Sequence, residues 1–371
     1  MSKKFFKGLV LVIVLTMLLV LAAGCGSQET TTTDTAATEA PFKVAFIYYG
    51  SIGDHGWTYQ HEQGRIYLQA NATNVETIGI ENVAVGADAE RVMTQLAQEG
   101  YNLIVATSFD YQESTLTVAK NFPDVMFMNS TGDKSDTNVM PYFGREYESF
   151  YLDGVAAGLK TESNILGYIA SYPIPAVIQD INAFAIGARS VNPDVTVKVV
   201  MVNTWYDPAA EKQAADSLID GGADVLAHET DSAAPHQAAE ARGVWSVGKN
   251  SDMDVFAPDA FLTGGVWNWG PFYADVVNQI REGKWDSAPY WGHMSTGILN
   301  MAPYGTAVTD DMKTVIDQTQ ADLFAGNIDI FAGPLKDQAG TEKVAAGSSL
   351  TDDELRNINW VVDNVKGNLG N

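Results

Sequence analysis

Short runs rich in Val and Ile recur along the chain, each followed by an amphipathic stretch of helical length. FKVAFIYY, VETIGIENV, YNLIVATS and VMFMNS read as buried strands. TYQHEQGRIYLQAN, AERVMTQLAQEG and ESTLTVAKNFP between them read as helices. Strands alternating with helical patterns are the signature of βαβ units and a parallel sheet. A helix over EYESFYLDGVAAGLKT closes this first series, and a second then begins at NILGYIAS. Its strands are TVKVVMVNTW, ADVLAHET, VWSVGKN and FLTGGVW, and GPFYADVVNQIREGKW is a further helix. The pattern predicts two doubly wound α/β halves with parallel sheets, and a cleft for a ligand at their strand ends. GTAVTDDMKTVIDQTQADLFAGNIDIFAGP is expected to add one helix and one strand to the first half.

The first 24 residues stand outside that pattern. Lys3, Lys4 and Lys7 precede an apolar stretch from Leu9 to Leu21, as in a secretory signal peptide. Cys25, the sole cysteine of the 371 residues, follows it in a setting that resembles a bacterial lipoprotein box. Lipidation at Cys25 is therefore expected, with residues 25–41, polar and rich in Thr, as a tether to the folded part. Later segments fall well short of the ~18 apolar residues a spanning helix needs, so the anchor would be the lipid. The formal charge of -24 argues against nucleic acid or an anionic membrane surface as a partner.

The residues with chemistry fall just beyond predicted strands. Trp57, Trp205, Trp267 and Trp269 all do so, and Trp57 and Trp205 occupy matching positions in the two halves. Two indoles facing across a cleft would sandwich a flat ligand, at about 1–3 kcal/mol per stacked contact. Packing under a loop is the alternative for each of them. Polar candidates are Asp54, Asp110, Asp180, Asn182, Asp207, Asp231 and Asp252. Holding its Gly-bounded turn is the alternative for Asp54, and Asp207, before Pro208, is expected to cap a helix. Carboxylates only accept hydrogen bonds, so they suit a ligand rich in N–H or O–H, a purine edge or a sugar. The five His show no metal-ligand spacing and are each expected on the surface or in loops. GxSxG, Walker and GxGxxG motifs are missing where catalysis or a nucleotide cofactor would need them, so neither metal, cofactor nor enzyme activity is expected.

The segments GSIGDHGWTYQHEQGR, FGREYESFYLDGVAAG, WNWGPFYADVVNQIREGKW and the run from Asn182 to Ser232 carry a resemblance. They resemble the BMP/Med family of lipoprotein substrate-binding components of ABC importers. That resemblance implies a type I periplasmic-binding fold of two lobes joined by a hinge. It implies lobe 1 over 42–162 and about 286–345, lobe 2 over 163–285, and a C-terminal segment over 346–371. Many members bind purine nucleosides between two aromatic residues, which would here be Trp57 and Trp205. Nucleoside binders tend to carry an Asp and a Lys associated with the ribose; this chain has Asn250 in GKNSDM and no Lys in GGVWNWG. It is similar in this to members that bind a free base such as adenine, with Asp231 accepting the ring N–H. The implied partners are a purine and ABC permease subunits, for a monomer held to the outer face of the cell membrane by lipid alone. A purine nucleoside, a carbohydrate, a secreted hydrolase and a receptor-coupled sensor stay open as alternatives.

Overall fold

The computed structural model describes residues 40–367; the signal segment, Cys25 and nearly all of the tether lie outside the described residues. No helix among the described residues is long and apolar enough to cross a membrane.

The first half runs β1 (Phe42–Ile47), α1 (Trp57–Asn71), β2 (Val75–Ile80), α2 (Ala87–Gln98), β3 (Leu103–Ala106), α3 (Gln112–Ala119), β4 (Met126–Ser130) and β5 (Val139–Gly144). The second half continues with α4 (Tyr147–Lys160), β6 (Ile165–Ala170), α5 (Pro175–Val191), β7 (Thr196–Met201), α6 (Pro208–Asp220), β8 (Val225–His228), α7 (Ala234–Arg242), β9 (Trp245–Gly248) and β10 (Phe261–Trp267). The remainder is α8 (Trp269–Arg281), β11 (Tyr290–Gly292), β12 (Leu299–Met301), α9 (Asp310–Phe324), β13 (Leu335–Lys336), β14 (Glu342–Val344), α10 (Asp352–Arg356) and β15 (Val365–Lys366).

Two large sheets result, as the alternation predicts, beside a small antiparallel pair of β13 and β14. The first is wholly parallel in the order β11-β5-β4-β3-β1-β2. The second has the order β12-β10-β9-β8-β6-β7-β15, with only β12 antiparallel. Strands covered by helices on both faces must be apolar on both faces. Val44 through Ile47 of β1 and Val225 through Ala227 of β8 are accordingly fully buried.

β5 is missing from the sequence reading because Pro141 stands at its middle, and Pro argues against an interior strand. It nonetheless pairs with β4 on one side and β11 on the other. Two lobe boundaries also differ from expectation. α4 packs on α5 and the second sheet, not on the first. Gly154 and Gly187 allow that contact: a Cβ at either would sit 2.1 Å from a carbonyl oxygen of the facing helix. α8 returns to the first lobe and packs on α1. The chain thus passes between lobes at Gly144–Tyr147, at Trp267–Trp269 and between β11 and β12. The C-terminal part joins the second lobe: α9 lies on α4 and β15 pairs with β7.

Candidate functional site

A cavity of about 510 Å³ opens between the lobes, walled by the loops that leave the C-terminal ends of the parallel strands. This is where an open α/β sheet leaves its backbone groups and loop side chains free for a ligand.

One wall is aromatic. Trp57, the first residue of α1, is half-buried, and its indole N–H donates to the carbonyl of Thr107 at 2.6 Å. The ring stands edge-on to Trp267 and Trp269, with centroids 6.0 and 5.9 Å away. Those two indoles stack on each other at 4.3 Å, and Trp269 stacks in turn on the His61 imidazole at 4.8 Å. Trp267 and Trp269 are buried, so they prop Trp57 and do not meet the cavity themselves. Trp205, after β7, lines the cavity from the second lobe and packs edge-on to Tyr172. Phe143, Trp291, Tyr49, Phe109 and Ile174 add to the apolar lining. Trp291 is held by two guanidiniums, Arg145 at 4.2 Å and Arg356 at 4.9 Å from its ring centre.

The floor is polar. Asp231 follows β8, and one of its carboxylate oxygens accepts from the Asn250 side-chain amide at 2.9 Å. The residue is half-buried, open toward the cavity it lines. Burial, with Asp54 and Glu229 nearby, pushes its carboxyl up to about 8 against the opposing pull of Lys249 and Asn250. The Lys249 ammonium, 4% exposed, bonds Glu229 at 2.5 Å and lies 3.6 Å from Glu146. Burial opposes its charge, but the surrounding carboxylates of Glu146, Glu229 and Asp231 outweigh burial and hold its pKa above the ordinary value. Burial, reinforced by Glu229 and Asp231, raises Glu146 to about 8 despite Lys249. Behind them Asp180 is raised well above its usual range by burial and by Glu229 and Glu146. Glu146, Asp180 and Glu229 bring oxygens within 4.8 Å of one another, a spacing a cation could bridge; Lys249 already supplies a positive charge there.

Three of the expected ligand residues lie elsewhere. Asp54 is a turn and helix cap: its carboxylate accepts from the backbone N–H of Gly56, Thr58 and Tyr59 at 2.9–3.0 Å. Asp252 is exposed and accepts from the N–H of Asp254. Asn182 is fully buried in α5, donating to the Trp360 carbonyl and accepting from the Val362 N–H, so it anchors the C-terminal segment. A Cβ at Gly56 would meet the Asp231 carbonyl oxygen at 2.3 Å, so the glycine admits the Asp231 loop. The expectation that all five His are surface or loop residues fails at His61, His228 and His236, which are buried. Asp207 caps α6 as expected, accepting from Ala209 and Ala210.

The polar floor is what the sequence reading misses most. Lys249 and Glu146 each stand at a strand end, in GKN after β9 and GRE after β5, which is the one signal that could have raised them. Arg356 and Asn357 reach the cavity from the end of α10, a short helix opened by the Thr351–Glu354 capping box.

The chain matches the model of the Bmp family, described as ABC transporter substrate-binding protein PnrA-like, over residues 42–326. It is 45% identical over 335 residues to a purine-binding protein of Brucella abortus, covering 90% of this chain and 95% of that one. It is 39% identical to a putative glucose-binding protein of an ABC transporter from Haloferax volcanii, covering 81% and 78%. A solved solute-binding protein from Conexibacter woesei superposes with a TM-score of 0.67 at 26% identity, over 77% of this chain and 97% of that one. The family captures solutes and carries out no chemistry on them. With the family model spanning most of both lobes, the chain belongs to the PnrA-like substrate-binding proteins of ABC transporters.

Proposed function

We propose that this protein delivers a purine, a free base such as adenine, to an ABC permease, and that it is held outside the cell by lipid on Cys25. The ligand lies in the inter-lobe cavity with its ring faces against Trp57 and Trp205. One observation carries the base over the nucleoside. Asp231 lines the cavity with one carboxylate oxygen taken by Asn250; burial keeps the free carboxyl protonated up to about 8, so a ligand N–H pairs with the other oxygen by drawing Asp231 into its ionised form. A free base offers that ring N–H; a nucleoside is substituted at that nitrogen and would leave the acceptor unpaired, at about 1–3 kcal/mol. The 45% identity to a relative named for purine binding supports the ligand class.

A carbohydrate is the second reading, favoured by the 39% identical relative named for glucose. Calorimetric titration of protein beginning after Cys25 with adenine, guanine, hypoxanthine, adenosine, inosine, ribose and glucose separates these. Tight adenine and weak adenosine are expected. Adenosine binding as tightly as adenine overturns the free-base reading, and glucose alone binding overturns the purine.

A further inference from the structure

We infer that Asn250 is a positioning residue for Asp231, and that Trp267 dictates which way its amide points. This deepens the proposed function and rests on Asp231 as the acceptor of the ligand N–H.

Asn250 follows β9, is 1% exposed, and has a φ of 67°. Asn is among the few non-Gly residues that adopt the left-handed region readily. Its side chain has two neighbours able to pair with it. The Trp267 indole Nε1 lies 3.2 Å from Oδ1, and Asp231 Oδ1 lies 2.9 Å from Nδ2. An indole N–H can only donate, so the amide oxygen must face Trp267 and the NH₂ must face Asp231. Trp267 is itself immobile. It is 2% exposed, stacked on Trp269, and its backbone N–H donates to the Asn250 carbonyl at 3.0 Å.

The consequence falls on Asp231. One oxygen is saturated by a fixed donor, so the other is aimed at the cavity by default. The same donor stabilises the carboxylate form, opposing the burial, Asp54 and Glu229 that favour its protonation. An Asp at position 250 would keep the size, the left-handed backbone and an acceptor for Trp267. It would lose only the donor, setting two carboxylates against each other. Trp267 also stands edge-on to Trp57, so the residue that fixes the acceptor supports the aromatic wall too.

The test uses Asn250→Asp, Asp231→Asn and the double variant, in two arms. In ligand-free protein, the Asn250 side-chain amide resonances should shift in Asp231→Asn; unmoved resonances overturn the pairing. In calorimetry, Asn250→Asp should lose roughly tenfold or more in adenine affinity, the cost of one buried charge-assisted bond. Its preference for adenine over 9-methyladenine should narrow by a similar factor. The double variant should recover much of the loss, because amide and carboxylate then exchange places, whereas a purely structural role predicts additive losses. Asn250→Asp binding adenine within about twofold of wild type, at unchanged preference, overturns the inference. Wild-type protein that binds no purine base overturns the proposed function instead, and the resonance arm still decides the pairing.

Discussion

The backbone N–H of Asp231 donates to the carbonyl of Trp205 at 2.9 Å, so the acidic acceptor and one aromatic wall belong to a single rigid loop pair. Across the cleft, Gly56 lets the residue before Trp57 press against the Asp231 carbonyl. The loops that carry Trp57 and Trp205 thus both contact the Asp231 backbone. In the proposed binding mode, a ring held between the indoles would meet Asp231 at its edge, on loops already tied together, which lowers the ordering cost of binding.

Trp57→Ala removes one wall. Loss of a base–aromatic stack of about 1–3 kcal/mol predicts roughly 5- to 150-fold weaker adenine binding. The half-buried ring also rests on Trp267 and Trp269, so some loss of melting temperature accompanies it. Calorimetry and thermal melting on the same samples separate the two effects. A large fall in melting temperature with affinity intact would mean that the ring is packing only.

Asn182→Ala tests the corrected role of that residue. Two bonds to the Trp360–Val362 backbone are lost from a fully buried site, so a destabilisation of about 1–3 kcal/mol is expected. The ratio of adenine to adenosine affinity should hold, because the side chain does not line the cavity. Denaturant unfolding gives the first quantity and titration the second; a changed ratio at unchanged stability would return Asn182 to the ligand.

Arg356 clasps the lobes at the cavity mouth. It belongs to a segment fastened to the second lobe through Gln179, Asn182 and β15, yet its guanidinium lies over Trp291 beside β5 of the first. It also stands beyond the region the family model spans. An exposed cation–π contact is worth about 0.5–1 kcal/mol, so Arg356→Ala should speed ligand dissociation roughly two- to fivefold. Stopped-flow fluorescence measures this, and an unchanged dissociation rate would show that this contact does not retain the ligand.

The architecture was legible because parallel strands covered on both sides need unbroken Val/Ile runs, and those are visible locally. Trp57, Trp205 and Asp231 were singled out because strand ends face the cleft in such folds, and all three line the cavity. The polar floor was not legible: Lys249 joins Glu229 and Glu146 across 20 and more than 100 residues, and only the sheet order brings them together. Asn182 misled for the opposite reason. A polar residue on a buried helix face suggests a ligand, but here the unsatisfied partner was the backbone of a distant C-terminal segment.

Buried groups of opposite sign make the stability of the ligand-free protein depend on pH from both sides. Asp231 and Glu146 are raised to about 8 from ordinary values near 4, so the folded state holds protons that the unfolded state has released. Their favourable contribution is full below pH ~4 and is lost as pH rises through 8. His228 and His236 hydrogen-bond to each other at 2.9 Å, and burial lowers both, His236 to about 3. The unfolded state binds protons first at these sites, so their contribution is full above pH ~6.5 and is lost as pH falls toward 3. Above pH ~7 the imidazoles are neutral in both states, and the acids act alone. The melting temperature should therefore fall from pH 7 to 9, and Asp231→Asn should flatten that limb while leaving the acid limb in place. His236→Gln should do the reverse. Melting curves from pH 4 to 9 at constant ionic strength test both; an alkaline limb with the same slope in Asp231→Asn would place the proton on another group.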